Sequence, residues 1–124
     1  MTSTLDTITI DCAHPPALAA FWCTALGYRV QDEDTDGSFV THPEGRGQPL
    51  YFQRVPEAKS VKNRVHLDLR PPDSMAKEVE RLQSAGATSQ RFVRTEGSFW
   101  TIMLDPEGNE FCVLRGPQDG WSPS

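Results

Sequence analysis

Apolar and polar side chains alternate near the start of the chain, and the pattern then changes to helical spacing. Residues 7–12, T-I-T-I-D-C, alternate strictly, which is typical of a β-strand with one covered face. From Pro15 to Leu26 apolar side chains recur at helical spacing, and Gly27 follows. Proline in the first turn and glycine just after the last turn are common helix boundaries. The pattern predicts a strand followed by an amphipathic helix.

The next elements are strands, and the whole order then repeats. Short apolar or alternating runs predict strands at residues 28–31, 39–41 and 50–55. The second half predicts a strand at 64–70, a helix from Pro71 to Gly86, and strands near 88–93, 99–104 and 110–114.

Turn segments also recur between the two halves. Gly27 aligns with Gly86, and the segment H-P-E-G at 42–45 aligns with D-P-E-G at 105–108. Two copies of a strand, helix, three-strand unit explain this recurrence, because each unit alone would leave one sheet face uncovered. The alternative is an ordinary α+β domain in which the turn sequence recurs by chance.

The length of 124 residues predicts a single domain. Within it we expect a first module at about 5–55, a connector at 56–63, a second module at about 64–115 and a flexible tail at 116–124. The tail is rich in glycine, proline and serine. Its Trp121 is either an exposed aromatic residue or an anchor on a partner subunit.

Composition narrows the class of partner. The net charge is −5 and the pI is about 5.1, so no broad basic surface is available for nucleic acid. No apolar run reaches the roughly 20 residues of a membrane span, and the start of the chain lacks the features of a secretory signal. Three cysteines cannot all pair within one chain, and none forms a C-x-x-C motif. We therefore expect a cytoplasmic protein with reduced thiols, no nucleic acid partner and no membrane partner.

Residues 7–26, 65–86 and 105–114 resemble the vicinal oxygen chelate superfamily, which includes glyoxalase-like and bleomycin-resistance proteins. The most specific motifs are H-L-D-L at 66–69 and D-P-E-G-N-E-F-C at 105–112. The resemblance implies an α+β fold of tandem βαβββ modules, which form a cup-shaped mixed sheet with helices on the outer face. It also implies a small-molecule ligand, a homodimer and, in many members, a divalent metal in the cup.

The metal positions that the resemblance implies are only partly filled by ordinary ligands. They fall on Thr7, on Tyr51 or Gln53, on His66 and on Cys112. Because a catalytic divalent site needs about three suitable protein ligands, we expect the usual site to be largely lost and predict no cofactor. The alternative is a degenerate divalent site in which His66 is joined by a carboxylate, Glu110 or Asp68.

Three residues are the candidates for catalysis: His66, Asp68 and Glu110. Period-2 alternation places Arg64, His66, Asp68 and Arg70 opposite the apolar Val65, Leu67 and Leu69, and it places Glu110 on the face of Cys112. Imidazole exchanges protons near neutral pH, and the carboxylates would orient it or act as a base. The alternatives are a hydrogen-bonded core histidine and structural salt bridges.

The predicted substrate-binding residues share polar or aromatic character and lie on strands or beside them. They are Thr7, Asp11, Tyr51, Gln53, Arg64, Trp100 and Cys112. For Cys112, a small buried packing role is favoured over a nucleophilic one, since it lies between Phe111 and Val113.

These residues and the family resemblance support two alternative functions of different classes. The first is a lyase or isomerase that transfers protons on a small oxygenated metabolite; a dioxygenase is not expected, since its iron needs an intact ligand triad. The second is a resistance protein that sequesters a drug or natural product without turnover. A scaffold domain with no ligand is a third possibility.

Overall fold

The computed structural model describes residues 1–123, which divide into two compact units: unit 1, Met1–Lys59, and unit 2, which begins at Ser60. The elements of unit 1 are β1 (Ile8–Cys12), α1 (Pro15–Leu26), β2 (Arg29–Glu33), β3 (Gly37–Thr41) and β4 (Leu50–Arg54). Those of unit 2 are β5 (Asp68–Leu69), α2 (Met75–Ser84), β6 (Thr88–Thr95), β7 (Ser98–Leu104), β8 (Glu110–Val113) and a 3-10 helix (Pro117–Asp119).

Unit 1 is a four-stranded mixed sheet with one helix on one face. The strand order is β1-β4-β3-β2, with β1 parallel to β4 and the other pairs antiparallel. Helix α1 starts with two prolines and ends at Gly27 in the left-handed conformation, as the sequence predicts. Its buried Leu18 and Trp22 form a core with Val40 and Phe52 of the sheet.

Unit 2 repeats this architecture. Its strand order is β5-β8-β7-β6, again with one parallel pair, β5 with β8. Helix α2 begins after Ser74, whose hydroxyl accepts a hydrogen bond from the Lys77 amide, and the helix packs on β6, β7 and β8. Leu82, Met103 and Phe111 are buried. The predicted α+β fold of two βαβββ modules is confirmed, and its cup shape stays a prediction.

The aligned turns of the two units are alike in atomic detail, which supports an internal repeat. The amides of Gly45 and Gly108 each donate to the carbonyl three residues earlier at 2.9 Å, and both glycines have positive φ. The side chains of His42 and Asp105 each accept a hydrogen bond from the amide two residues later, at 3.0 and 2.9 Å.

The strand predicted at 64–70 is reduced to Asp68–Leu69, so the predicted length was wrong. In the parallel register Asp68 faces Cys112, and extending the ladder backwards by four residues would bring Arg64 opposite Gly108. That glycine belongs to the turn before β8 and has a φ of +85°. Because β8 starts only at Glu110, the residues around Arg64 have no strand to pair with.

The segment after β8, predicted as a flexible tail, contains a short helix and contacts with the rest of unit 2. Residues 117–119 form a 3-10 helix, and Oδ2 of Asp119 accepts hydrogen bonds from the amides of Met75 and Gly116, at 2.7 and 2.9 Å. The Arg70 guanidinium lies 4.0 Å from the centre of the Trp121 ring, so Trp121 contacts its own chain. Ser124, the last residue of the predicted tail, lies outside the described residues.

Two further expectations concern residues 1–123. No helix within that range has the length and apolar character needed to cross a membrane. No disulfide joins Cys12, Cys23 and Cys112 within the described part of the chain, and their reduced state in the cell stays a prediction.

Candidate functional site

A pocket of about 450 Å³ lies on unit 2 and is lined by residues of that unit alone. Its floor is the face of the sheet opposite α2. Along β7 and β8 the lining residues alternate with residues such as Met103 and Phe111, which point to the other face and are buried on the helix side. One row of paired residues crosses all four strands beneath it: Asp68 of β5, Cys112 of β8, Ile102 of β7 and Arg91 of β6. The complete lining is Lys62, His66, Asp68, Arg91, Val93, Trp100, Ile102, Glu110, Cys112 and Leu114.

One polar contact in this lining joins a histidine to a carboxylate. Nδ1 of His66 lies 3.3 Å from Oδ1 of Asp68, and both side chains are about half exposed. An ionised carboxylate can only accept hydrogen bonds, so this contact is a hydrogen bond in the tautomer that carries its proton on Nδ1. We assign that tautomer to the neutral imidazole from this geometry, and it leaves Nε2 as a hydrogen-bond acceptor.

Cys112 lies beside this pair but is poorly suited to attack a substrate. Burial, the charge of Asp68 and a hydrogen bond to its carboxylate raise the pKa of the Cys112 thiol to about 11, although Lys62 acts in the opposite direction. Because the thiolate is the nucleophilic form, this thiol is inert near neutral pH. The result supports the packing role that the sequence favours for Cys112.

Glu110 lines the same pocket, as its parity with Cys112 predicts. Its Oε1 accepts a hydrogen bond from the backbone N–H of Asn63 at 3.1 Å. The side-chain Nδ2 of Asn63 donates a hydrogen bond to Oδ1 of Asn109 at 3.0 Å. The carboxylate is thus held by the backbone that precedes β5.

Two carboxylates were predicted as alternatives that could join His66 in a degenerate metal site, and Asp68, not Glu110, lies with it in a group that could hold a metal. Within residues 1–123, one group has suitable spacing: His66, Asp68 and Cys112, whose ligand atoms all lie within 4.8 Å of one another. Glu110 is not part of this group. Manganese and similar hard cations favour oxygen ligands, so a set that includes a thiol does not fit them.

The other predicted substrate-binding residues lie in different places. Trp100 lines the pocket, whereas Arg64 does not. Asp11 is paired with Gln53 in unit 1, and Tyr51 is two residues away on the same side of β4. Thr7 precedes β1, and its hydroxyl donates to Asp6 at 2.6 Å. A role for the four unit 1 residues stays a prediction.

Two cationic residues of the pocket, Lys62 and Arg91, were not predicted. Arg91 follows a register shift between Ser89 and Arg91 in the pairing of β6 with β7. Once that shift was known, the position of Arg91 in the pocket could have been predicted, because Arg91 lies on the same face of β6 as Val93 and pairs with Ile102. Lys62 lies in the predicted connector, where no periodicity indicates a face.

The family model described as a glyoxalase-like domain matches residues 7–114. No curated protein sequence matches the chain.

Several solved structures are similar in fold. A glyoxalase/bleomycin resistance protein/dioxygenase family enzyme from Burkholderia phytofirmans PsJN is 18% identical, with 90% of this chain and 97% of that chain covered and a TM-score of 0.74. A mutant of the fosfomycin resistance protein FosX from Listeria monocytogenes, complexed with Mn(II) and 1S,2S-dihydroxypropylphosphonic acid, is 15% identical, with 96% of each chain covered and a TM-score of 0.75. Lactoylglutathione lyase from Agrobacterium tumefaciens is 15% identical, with 94% and 96% covered and a TM-score of 0.64.

Proposed function

Because the chain belongs to the family of glyoxalase-like domains, we propose that it is a lyase- or isomerase-type enzyme that transfers a proton on a small oxygenated molecule in the unit 2 pocket. The observation that carries this proposal is the 3.3 Å contact between Nδ1 of His66 and Oδ1 of Asp68. This contact presents Nε2 as the basic atom in a pocket wall. Similarity to lactoylglutathione lyase and to FosX is in keeping with an enzyme.

The chemistry uses three side chains at one end of the pocket. Nε2 of His66 removes a proton from the carbon next to a carbonyl group, and the electron pair of the C–H bond moves to the carbonyl oxygen. Asp68 stabilises the imidazolium that forms. The Lys62 ammonium, whose charge is felt at Cys112, stabilises the oxyanion. The imidazolium then returns the proton to the same carbon or to its neighbour.

The opposite end of the pocket indicates the class of substrate. Arg91 lies three strands from Asp68 in the paired row, a backbone distance of about 14 Å at a strand spacing of about 4.8 Å. The pocket wall between or beside Asp68 and Arg91 is largely apolar and includes Val93, Trp100 and Ile102. We infer a substrate with an acidic C–H group, a short apolar part and a remote carboxylate, phosphate or phosphonate.

The test is hydrogen exchange in deuterium oxide, followed by proton NMR, with dihydroxyacetone phosphate, dihydroxyacetone and S-lactoylglutathione as probes. We expect the wild-type protein to replace the C–H hydrogen of at least one probe faster than buffer does, and His66→Gln to remove this acceleration. His14→Gln is the matched control, since His14 is exposed in unit 1. Exchange at the buffer rate with all three probes, or equal rates for wild type and His66→Gln, would contradict the proposal.

Sequestration of a ligand without turnover is the second candidate, and the apolar side of the pocket favours it. Val93, Trp100, Ile102 and Leu114 provide a surface for an apolar compound, and binding to such a surface needs no base. A sequestering protein would bind its compound equally well after His66→Gln. An enzyme would bind it but no longer turn it over, so calorimetry combined with the exchange assay separates the two.

The family resemblance also supports proposals about organisation. We propose a single domain in which both units take part, a homodimer and a cytoplasmic location. Light scattering of the purified chain tests the dimer, and a mass of one chain would contradict it.

A further inference from the structure

We propose that Asn63 is a positioning residue, whose hydrogen bonds hold Lys62 in place at one end of the unit 2 pocket. The inference rests on the proposed function and deepens it, since that function assigns the stabilisation of the oxyanion to Lys62. Lys62 lines the pocket, whereas Asn63 does not. Asn63 therefore acts through the backbone of its neighbour and not by contact with a substrate.

Lys62 lies in a segment that needs such an anchor. Residues 60–67 belong to no helix or strand, and the ladder with β8 starts where the Leu67 carbonyl accepts a hydrogen bond from the Cys112 amide at 2.9 Å. From 60 to 66 Asn63 is half-buried, and the other residues are exposed. An exposed segment without regular structure is costly to order, because each residue loses backbone freedom. The ladder alone therefore does not fix a lysine that lies outside it.

Asn63 holds this segment through both its backbone and its side chain. Its backbone N–H donates a hydrogen bond to Oε1 of Glu110 at 3.1 Å, and its Nδ2 donates one to Oδ1 of Asn109 at 3.0 Å. Glu110 is the first residue of β8, and Asn109 precedes it. Bonds to two consecutive residues fix both the position and the direction of the chain at Asn63, and Lys62 is the residue before it.

The side-chain bond connects the segment to a buried carboxylate. Asp105 is only 4% exposed. Its Oδ1 accepts a hydrogen bond from the backbone N–H of Asn109 at 3.0 Å, and its Oδ2 accepts one from Nδ2 of Asn109 at 2.9 Å. Because Nδ2 of Asn109 is used in this way, Oδ1 is the side-chain atom left to accept from Asn63. Asn63 thus ties the exposed segment to a network of charge-assisted bonds.

The proposed chemistry is sensitive to this connection. A catalytic group that moves by about 1 Å can cost on the order of 100-fold in rate, and a cation stabilises an oxyanion only where the charge develops. Asn63→Ala keeps the backbone bond to Glu110 but removes the link to Asn109. We therefore expect Lys62 to become mobile in this variant and turnover to fall, whereas Arg91 and the apolar wall still bind the substrate.

The first test measures backbone order parameters by nitrogen-15 NMR relaxation of the substrate-free protein. In Asn63→Ala the Lys62 amide should fall from about 0.85, the value of a rigid backbone, to below about 0.6, with Cys112 unchanged. Ser60→Ala, at an exposed position of the same segment, is the matched control. An unchanged Lys62 value in Asn63→Ala, an equal fall throughout unit 2, or the same fall in Ser60→Ala would overturn the proposal. If circular dichroism shows that Asn63→Ala is unfolded, Asn63→Ser, whose hydroxyl is too short to reach Asn109, carries the test.

The second test uses the exchange assay with whichever of the three probes the wild type exchanges fastest. Asn63→Ala should lower kcat about 10- to 100-fold and change KM less than about threefold. In a Lys62→Met background the same substitution should lower kcat less than about threefold, because the group that Asn63 positions is gone. An unchanged kcat, or an equal loss in both backgrounds, would overturn the proposal. If the wild type exchanges no probe, the proposed function fails instead, and the order parameters still decide whether Asn63 holds the segment.

Discussion

Asp68 faces Cys112 across the parallel ladder between β5 and β8, and its carboxylate accepts a hydrogen bond from the thiol. Burial, the carboxylate charge and this bond raise the pKa of Cys112 from 9.0 to about 11. The same carboxylate contacts His66. Asp68 therefore keeps the thiol protonated while it orients the imidazole.

This relationship predicts how stability depends on alkaline pH. The unfolded chain loses the Cys112 proton near pH 9, whereas the folded chain keeps it until about pH 11. Between these values the folded state binds more protons, so the stability contributed by the neutral thiol is present below pH 9 and is lost as pH rises through 11. The free energy of unfolding, measured by urea titration, should fall less steeply over this range in Cys112→Ala than in wild type. Equal slopes would contradict the raised pKa.

The Cys112 pKa itself should respond to Asp68. Asp68→Asn removes the negative charge beside the thiol, so the thiolate becomes easier to form and the pKa falls towards its ordinary value. The difference in ultraviolet thiolate absorbance between this variant and Asp68→Asn/Cys112→Ser gives that pKa. A value as high as in wild type would show that burial alone causes the shift.

Arg91 should affect anionic ligands selectively. Arg91→Gln removes a cation from the pocket and should weaken binding of dihydroxyacetone phosphate about 5- to 30-fold, for a loss of about 1–2 kcal/mol. Binding of neutral dihydroxyacetone should be unchanged. Arg94→Gln is the control on the same strand, because Arg94 lies near the rings of Phe92 and Phe99 and does not line the pocket. Equal effects of the two arginine variants on the anionic probe would contradict the assignment.

The contact between the C-terminal segment and α2 should stabilise unit 2. Asp119→Ala removes the acceptor of two amide hydrogen bonds, one of them at the first residue of α2. Loss of such a cap costs about 0.5–2 kcal/mol, which denaturant unfolding measures. Gln118→Ala, at an exposed neighbouring position, should have little effect. A similar loss in both variants would indicate that the side-chain contact is unimportant.

Local patterns predicted much of this fold, and the misses have physical reasons. Alternation correctly placed Glu110 with Cys112, because both lie on β8 and side-chain direction along a strand follows from the backbone alone. His66 also lies beside Asp68, although it precedes β5 and is not part of a strand. Arg91 was missed because the register shift that orients it depends on pairing with β7. Asp119 was missed because its acceptor role depends on an amide 44 residues away, and composition does not report such contacts.

The tautomeric state of His66 decides whether Nε2 can act as the base. Nitrogen-15 NMR of the metal-free protein measures it, with chelator present and at a pH where the imidazole is neutral. His14 and His42 serve as internal references, and His66→Gln assigns the signal. We expect a proton on Nδ1 of His66 in the wild type and a shift towards the Nε2-protonated form in Asp68→Asn. A neutral His66 protonated on Nε2 in the wild type would contradict it, because the atom assigned as the base would already carry a proton.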